Sequence, residues 1–266
     1  MTQVLNPVEA TKAYIERDTY GFVNTKDVLQ AFGQAGWTPV SQNFGRVNNL
    51  ERQGFQKHLI RLENPKFPAI EGLTNANHSK PQLVLLNSHD GTTSLQILWG
   101  LIRVACLNGI IAGTGVNGVR LIHSKSVVDK LPDAIQYMLD NFEKFRDQIT
   151  ALQGKTLSEA ATIELIKGVY NARLANVRGV THIDYTVPRA LRFEDKETDA
   201  YTIFNRIQEK LMRGGIRYEY VKEVKDVNGV VTNSYPVVTK TRRIASVSSQ
   251  VKLNQLAYDT AIKLAA

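Results

Sequence analysis

The stretch Pro81 to Asn108, PQLVLLNSHDGTTSLQILWGLIRVACLN, constrains the fold more than any other part of the chain. An apolar run, Leu83 to Leu86, stops at Asn87-Ser88-His89-Asp90-Gly91, and a second long run, Leu95 to Ala105, follows. Asp-Gly between two such runs marks an antiparallel hairpin, because Gly accepts a positive φ and Asp tolerates one. The body of this hairpin is apolar and its tip is polar. The pattern therefore places an antiparallel sheet at the centre of the molecule.

The flanking periodicities extend that sheet and supply helices. Trp37 to Val47 and Gly54 to Leu62 read as extended, and Val119 to His123 as a third strand beyond the hairpin. From Lys125 a helical stripe of Ile135, Met138, Leu139, Phe142, Phe145 and Ile149 runs unbroken through Leu152, and a second long helix spans Leu157 to Leu174. Val8 to Arg17 reads as a short helix, and another begins near Asn24 with Thr25 as N-cap. Asp199 to Met212 is a helix stopped by Gly214-Gly215. Asn228-Gly229 turns a hairpin of Ile216 to Lys225 and Val230 to Thr241, and Val247 to Ala265 closes the chain as a helix. The expected class is α+β: an antiparallel β-sheet, with a hairpin, third strand and long helix at its core, packed by helices and followed by a C-terminal β-hairpin and helix. The expected division is an α+β core domain over 1–190 and a basic helix–hairpin–helix subdomain over 191–266, or a continuation of the same domain.

At 266 residues the chain is long enough to bury a sizeable core. No segment approaches the roughly 18 unbroken apolar residues of a membrane helix. The N-terminus carries acidic residues and no apolar run of a secretory signal. A cytoplasmic protein with no membrane partner is the expectation. The single cysteine, Cys106, excludes an internal disulfide and a cysteine-cluster zinc site, and reads as buried and inert. The net charge is +8, and residues 201–266 hold 11 Lys and Arg against 5 Asp and Glu, so six of those charges cluster there. Clustering of this kind points to an anionic partner, of which nucleic acid is the commonest.

The order GFQKHLIRLENP, LVLLNSHDGTTSLQI, RVACLNGI, a Gly-rich turn and VRLIHS, then NRIQEKLMRGG, TRR at 241–243 and KLNQLA, is similar to the phage/plasmid-like protein family. This is a family of phage and plasmid genes carrying a domain of unknown function. The resemblance covers roughly residues 20 to 265, and Asn-Ser-His-Asp-Gly is its most specific motif. It implies a mobile-element origin and a host-cytoplasmic protein. It supplies no activity, and so no catalytic residue. The strand–strand–strand–helix order at 81–152 is also similar in pattern to single-strand annealing proteins of the Red-beta and Erf type. That likeness implies a cofactor-free, ring- or filament-forming homo-oligomer.

Candidate binding residues fall in four overlapping groups. Lys57, Arg61, Arg103, Arg120 and Lys125 lie in or beside strands that otherwise read as buried. Since charges are seldom buried unpaired, they either project from a solvent face or line a groove that tracks phosphates, with Phe44 and Phe55 near enough to stack bases and Trp99 in the core. Asn87, Ser88 and His89 form the hairpin tip, where turn chemistry and ligand contact are both expected. His58, His89 and His123 sit on three neighbouring strands and are read as hydrogen-bonded or phosphate-contacting. Neither i, i+4 histidine pairs nor a carboxylate cluster points to a metal. Arg213, Arg217, Arg242 and Arg243 surround the C-terminal hairpin, interleaved with Tyr218 and Tyr220, which suits a single strand; a solvated edge hairpin is the competing reading. GTGVNG at 113–118 lacks a P-loop pattern, so no nucleotide cofactor is expected. The function expected is single-stranded DNA binding that promotes annealing and recombination without cofactors. The alternatives are an interaction protein that inhibits a host defence system by binding a host protein, and a metal-dependent enzyme using His89 and Asp90.

Overall fold

The computed structural model describes residues 6–15, 17–70, 79–103, 108–112 and 118–266. Its centre is an antiparallel sheet in the order β1 (Thr38–Phe44), β2 (His58–Glu63), β3 (Ser79–Asn87), β4 (Leu95–Arg103) and β5 (Asn108–Ile111), with β6 (Gly118–Leu121) also pairing with β4. A second antiparallel sheet is ordered β7 (Val180–Ile183), β8 (Arg217–Lys225) and β9 (Val231–Lys240). Helices α1 (Thr25–Gln34), α2 (Leu131–Asp140), α3 (Phe142–Gln153), α4 (Glu159–Leu174), α5 (Ala200–Arg213) and α6 (Val247–Ala265) complete an α+β architecture.

Strands β3 and β4 read as continuous apolar runs because both of their faces are covered. Leu83, Leu85, Ile97, Trp99 and Leu101 face the main core, which the helices share. Trp99 lies at its centre, as expected, within 6 Å of the rings of Trp37 (5.8 Å), Phe67 (5.6 Å), Phe142 (5.1 Å) and Phe145 (5.5 Å). Val84, Leu86 and Leu98 point the other way, into a smaller cluster with Leu59, Ile111, Val247 and Val251. Helix α6 therefore belongs to both cores: its first turns cover the far sheet face, and its later residues Leu253, Ala257, Tyr258 and Ala261 enter the main one. Apolar residues on both sides of residue 190, among them Leu165, Ile166, Phe204 and Ile207, share that main core.

Several elements differ from the sequence expectation. The β3–β4 connection is not one of them: it spans residues 88–94, between the two apolar runs. Gly91 sits in it at φ +72°, where a Cβ would also run into Ile15 Cδ1. Residues 108–111 form a strand where glycines suggested a turn. The expected long helix breaks at Asn141 (φ −99°, ψ 7°) into α2 and α3. Among the described residues near the N-terminus, a 3₁₀ turn, Pro7–Glu9, capped by Asn6, stands in place of the expected helix. Asn24, not Thr25, caps α1. Cys106 and most of the 113–118 turn lie outside the described residues. No described helix is long and apolar enough to cross a membrane.

Candidate functional site

The hairpin tip is built by the turn chemistry its residue types favour. Asn87 Oδ1 accepts from Ser88 N at 2.9 Å, Ser88 Oγ accepts from Thr93 N at 3.1 Å, and Asp90 Oδ1 accepts from both Thr92 N and Thr92 Oγ1. Residues 87–90 of the tip are buried, however, and Gly91 and Thr92 are exposed. The N-terminal segment folds over it, with Tyr14 N donating to His89 O and His89 N to Phe55 O, both at 2.8 Å. Asn87, Ser88 and His89 are buried, which corrects their reading as a ligand-contacting tip. Asp90 and Thr92 border a cleft.

Beneath the tip lies an enclosed polar cluster. Thr25 Oγ1 is 2.8 Å from His58 Nε2 and 3.2 Å from His89 Nε2, and accepts from Asn87 Nδ2 at 3.1 Å. His58 Nδ1 lies 3.0 Å from the Gln56 carbonyl and so carries that ring's proton. The Thr25 hydroxyl then donates to His58 Nε2. Thr25 thus joins three groups across two strands and a loop. Burial drives the pKa of His58 down to about 4 and that of His89 down to about 3. Both rings are neutral at physiological pH, which removes them from the phosphate-contacting set. His123 is also buried, with its ring stacked on Tyr20 at 5.0 Å, and the Tyr20 hydroxyl is pushed up to about 12 by burial and then by Asp90. Among the described residues no three His, Cys, Asp or Glu side chains gather to hold a metal ion.

The expected basic strand residues divide by sheet face. Arg61 lies opposite Val84 on β3 and Ser41 on β1, and Gln96 lies opposite Arg120. Opposed residues share a face, so Arg61 and Arg120 project on the side of Val84 and Leu98, Arg61 toward α6 and Arg120 exposed. Lys57 joins them there, donating to Ser248 Oγ of α6 at 2.9 Å. Arg120 donates to Ser94 Oγ at 2.9 Å. Arg103 is the correction: it points into the main core, is 1% exposed, and is ion-paired with Asp195. A carboxylate partner, not a solvent face, accounts for its place in an apolar strand. Lys125 is exposed beyond the end of β6.

Two clefts flank the first turns of α6. One, of about 710 Å³, is lined by Arg46, Arg52, Lys57, Asp90, Ser246 and Ser248 among others. The positive end of α6 opens into it, with Ser246 capping Ser249 N at 3.3 Å. The other, of about 720 Å³, has Arg61 at its floor and Arg213 and Arg243 at its rim. Arg217 instead lines a mixed-charge cleft with Asp184, Arg206 and Lys210, while Arg242 is exposed. Phe44 and Phe55 are half-buried, Phe44 against the main core and Phe55 beside Tyr14 at 5.7 Å. Sequence reading missed Arg46, Arg52, Thr25 and the polar face of α6. The glycines at 100 and 109, inside apolar strands, were the available signal, since a strand glycine marks close approach by another group.

A family model described as a domain of unknown function, DUF932, matches residues 15–256, and the chain belongs to that family. Two proteins of Escherichia coli (strain K12), UPF0380 protein YfjQ and UPF0380 protein YafZ, are each 29% identical to it over 239 residues, covering 90% of this chain and 80% of theirs. No solved structure matches.

Proposed function

We propose that this DUF932-family protein binds single-stranded DNA, holding the strand against α6 and the basic sheet face beneath it, and promotes annealing with no cofactor or catalytic residue. The observation that carries this reading is the convergence of Arg61 from β2 and Lys57 just before it with Arg46, Arg52, Arg213 and Arg243 on two clefts beside one helix. Cations drawn from separate parts of the chain and gathered on one side suit a phosphate backbone, whose condensed counterions they would release. A phage or plasmid origin, a host-cytoplasmic location and assembly into a ring or filament belong to the same reading.

Fluorescence anisotropy with a labelled single strand, at two salt concentrations and with duplex as competitor, tests it. Tight, salt-sensitive binding that prefers the single strand is expected. Binding no stronger than that of an unrelated protein of equal net charge would sink the reading. Changing the exposed Arg242 and Arg243 to Ala should lower the salt dependence and leave the fold intact.

A second reading, docking of a host protein, draws on the β8–β9 hairpin, where Val224, Val227, Val230 and Val238 are exposed. Capture of the same host protein from nuclease-treated lysate by the intact chain, lost when Val227 and Val230 become Ser, is the outcome it requires.

A further inference from the structure

We propose that the Arg61 cleft is a built site for a phosphate group, taking the terminal phosphate of a strand or a free nucleotide; the strand source rests on the nucleic-acid reading above.

Arg61 rises from the middle of β2 among Leu59, Val84, Leu98 and Ile111, a neighbourhood that offers a cation nothing. Room for its guanidinium comes from two glycines. A Cβ on Gly109 would run into Nη2 and come within 2.6 Å of Cζ, and one on Gly100 would stand 3.4 Å from Nη1. The guanidinium therefore lies directly against bare backbone of β4 and β5.

Its partners are neutral. Nη1 donates to Gln82 Oε1 at 3.0 Å, and the Ile110 carbonyl lies at 3.5 Å. Gln82 in turn donates to Glu63 Oε1 at 2.8 Å, so an amide stands between Arg61 and that carboxylate. Among the described residues no acid forms an ion pair with Arg61. Burial lowers its pKa to about 10, which leaves it protonated at neutral pH. Arg103, the other arginine enclosed by this sheet, has Asp195. A half-buried charge without a counter-ion is partly desolvated, and an anion entering the cleft would offset that cost.

The cleft is shaped to admit one. Its lining contains three arginines, Arg61, Arg213 and Arg243, and no acid. Arg213 is already held by Glu209 at 2.9 Å, which leaves Arg61 and Arg243 as the principal charges. The α6 side chains on the wall are engaged with protein: Gln250 accepts from Asn43 at 3.1 Å, and Asn254 accepts from Gln208 at 2.6 Å. They are fixed and neutral. A volume of about 720 Å³ accommodates a nucleotide. The guanidinium fork matches phosphate oxygens, and a terminal phosphate carries about two charges at neutral pH where a diester carries one.

The test uses the full chain. Anisotropy compares one single strand ending in a phosphate with the same strand ending in a hydroxyl, and calorimetry measures inorganic phosphate and a nucleoside monophosphate. The phosphate-ended strand should bind about tenfold tighter or more, the scale of a charge-assisted hydrogen bond. Arg61→Met should abolish that advantage. Gly109→Ala should abolish it too, by displacing the guanidinium without removing a charge. Arg243→Ala, on the exposed rim, should reduce it. If both strands bind alike and all three variants leave each unchanged, the phosphate site is overturned while the nucleic-acid reading stands. Arg61-dependent binding of phosphate or nucleotide with no strand binding keeps the site and removes that reading. If nothing binds, both fall. Should Arg61→Met not fold, a full advantage retained in Arg243→Ala overturns the site.

Discussion

Arg61 and Arg103 show how the same residue type takes opposite roles within one sheet. Arg103 meets Asp195, which also accepts from Leu191 N, Arg192 N and Arg192 Nη1, so its charge is answered inside the protein. Arg103→Met should leave Asp195 Oδ1 without its partner while Oδ2 keeps Arg192, at a cost of about 1–3 kcal/mol in urea denaturation, and adding Asp195→Leu should not recover it, because Leu191 N and Arg192 N then lose their acceptor. Thr25 is a second decisive residue, because one hydroxyl serves His58, His89 and Asn87. Thr25→Val keeps the shape and leaves three enclosed polar groups short of a partner, at about 1–3 kcal/mol for each. The same histidines set an acid limit. In the unfolded chain they take up protons below about pH 6.5, whereas folded His58 stays neutral to about 4 and folded His89 to about 3. Between 6.5 and 4 the unfolded state binds more protons, so stability should fall as the pH is lowered through that window. Asp184 and Asp195 are held below their ordinary 3.8 and act only in stronger acid. A urea midpoint that stays flat from 6.5 to 4 would refute the neutral, enclosed assignment.

Among the elements, α6 connects fold to site. Its first turns close the small core with Val247 and Val251 while bordering both basic clefts. Ser246 caps it, and Ser246→Ala should cost about 1 kcal/mol by thermal or urea melting. The β8–β9 hairpin was readable in advance because Asn228-Gly229 separates two runs of residues with strand propensity. The β3–β4 hairpin was readable as a pair of strands, but its tip was not. Whether polar turn residues meet water depends on what packs over them, and here that is the segment before α1, distant in sequence. The break between α2 and α3 left no mark in the apolar stripe, which continues through both because both face one core.

For the whole molecule, the question is where the charge is effective. The net charge is +8, and the two clefts beside α6 gather Arg46, Arg52, Lys57, Arg61, Arg213 and Arg243, whereas the cleft at Arg217 mixes cations with Asp184, Asp195 and Glu209. Each phosphate contact with a single strand contributes about 0.7 to the slope of log affinity against log salt. Arg243→Ala should lower that slope by about 0.7, whereas Lys222→Ala, on the exposed hairpin, should leave it unchanged. Equal losses at both positions would mean a diffuse basic surface rather than a focused one.

The sequence by itself determined the α+β class, the two hairpins and most of the helices, since periodicity, turn dipeptides and stop residues act over a few neighbours. It also gave the surplus of positive charge, which needs no coordinates. Only the tertiary structure decided which cations are available. Arg61 and Arg103 are equivalent as letters in apolar strands, and Asp195, 92 residues beyond Arg103, separates them. It likewise turned His58 and His89 inward around a threonine from another element, and brought Arg213 and Arg243 beside Arg61. Local preferences follow from adjacent residues, whereas the pairing of a buried charge depends on which distant segment the folded chain lays against it.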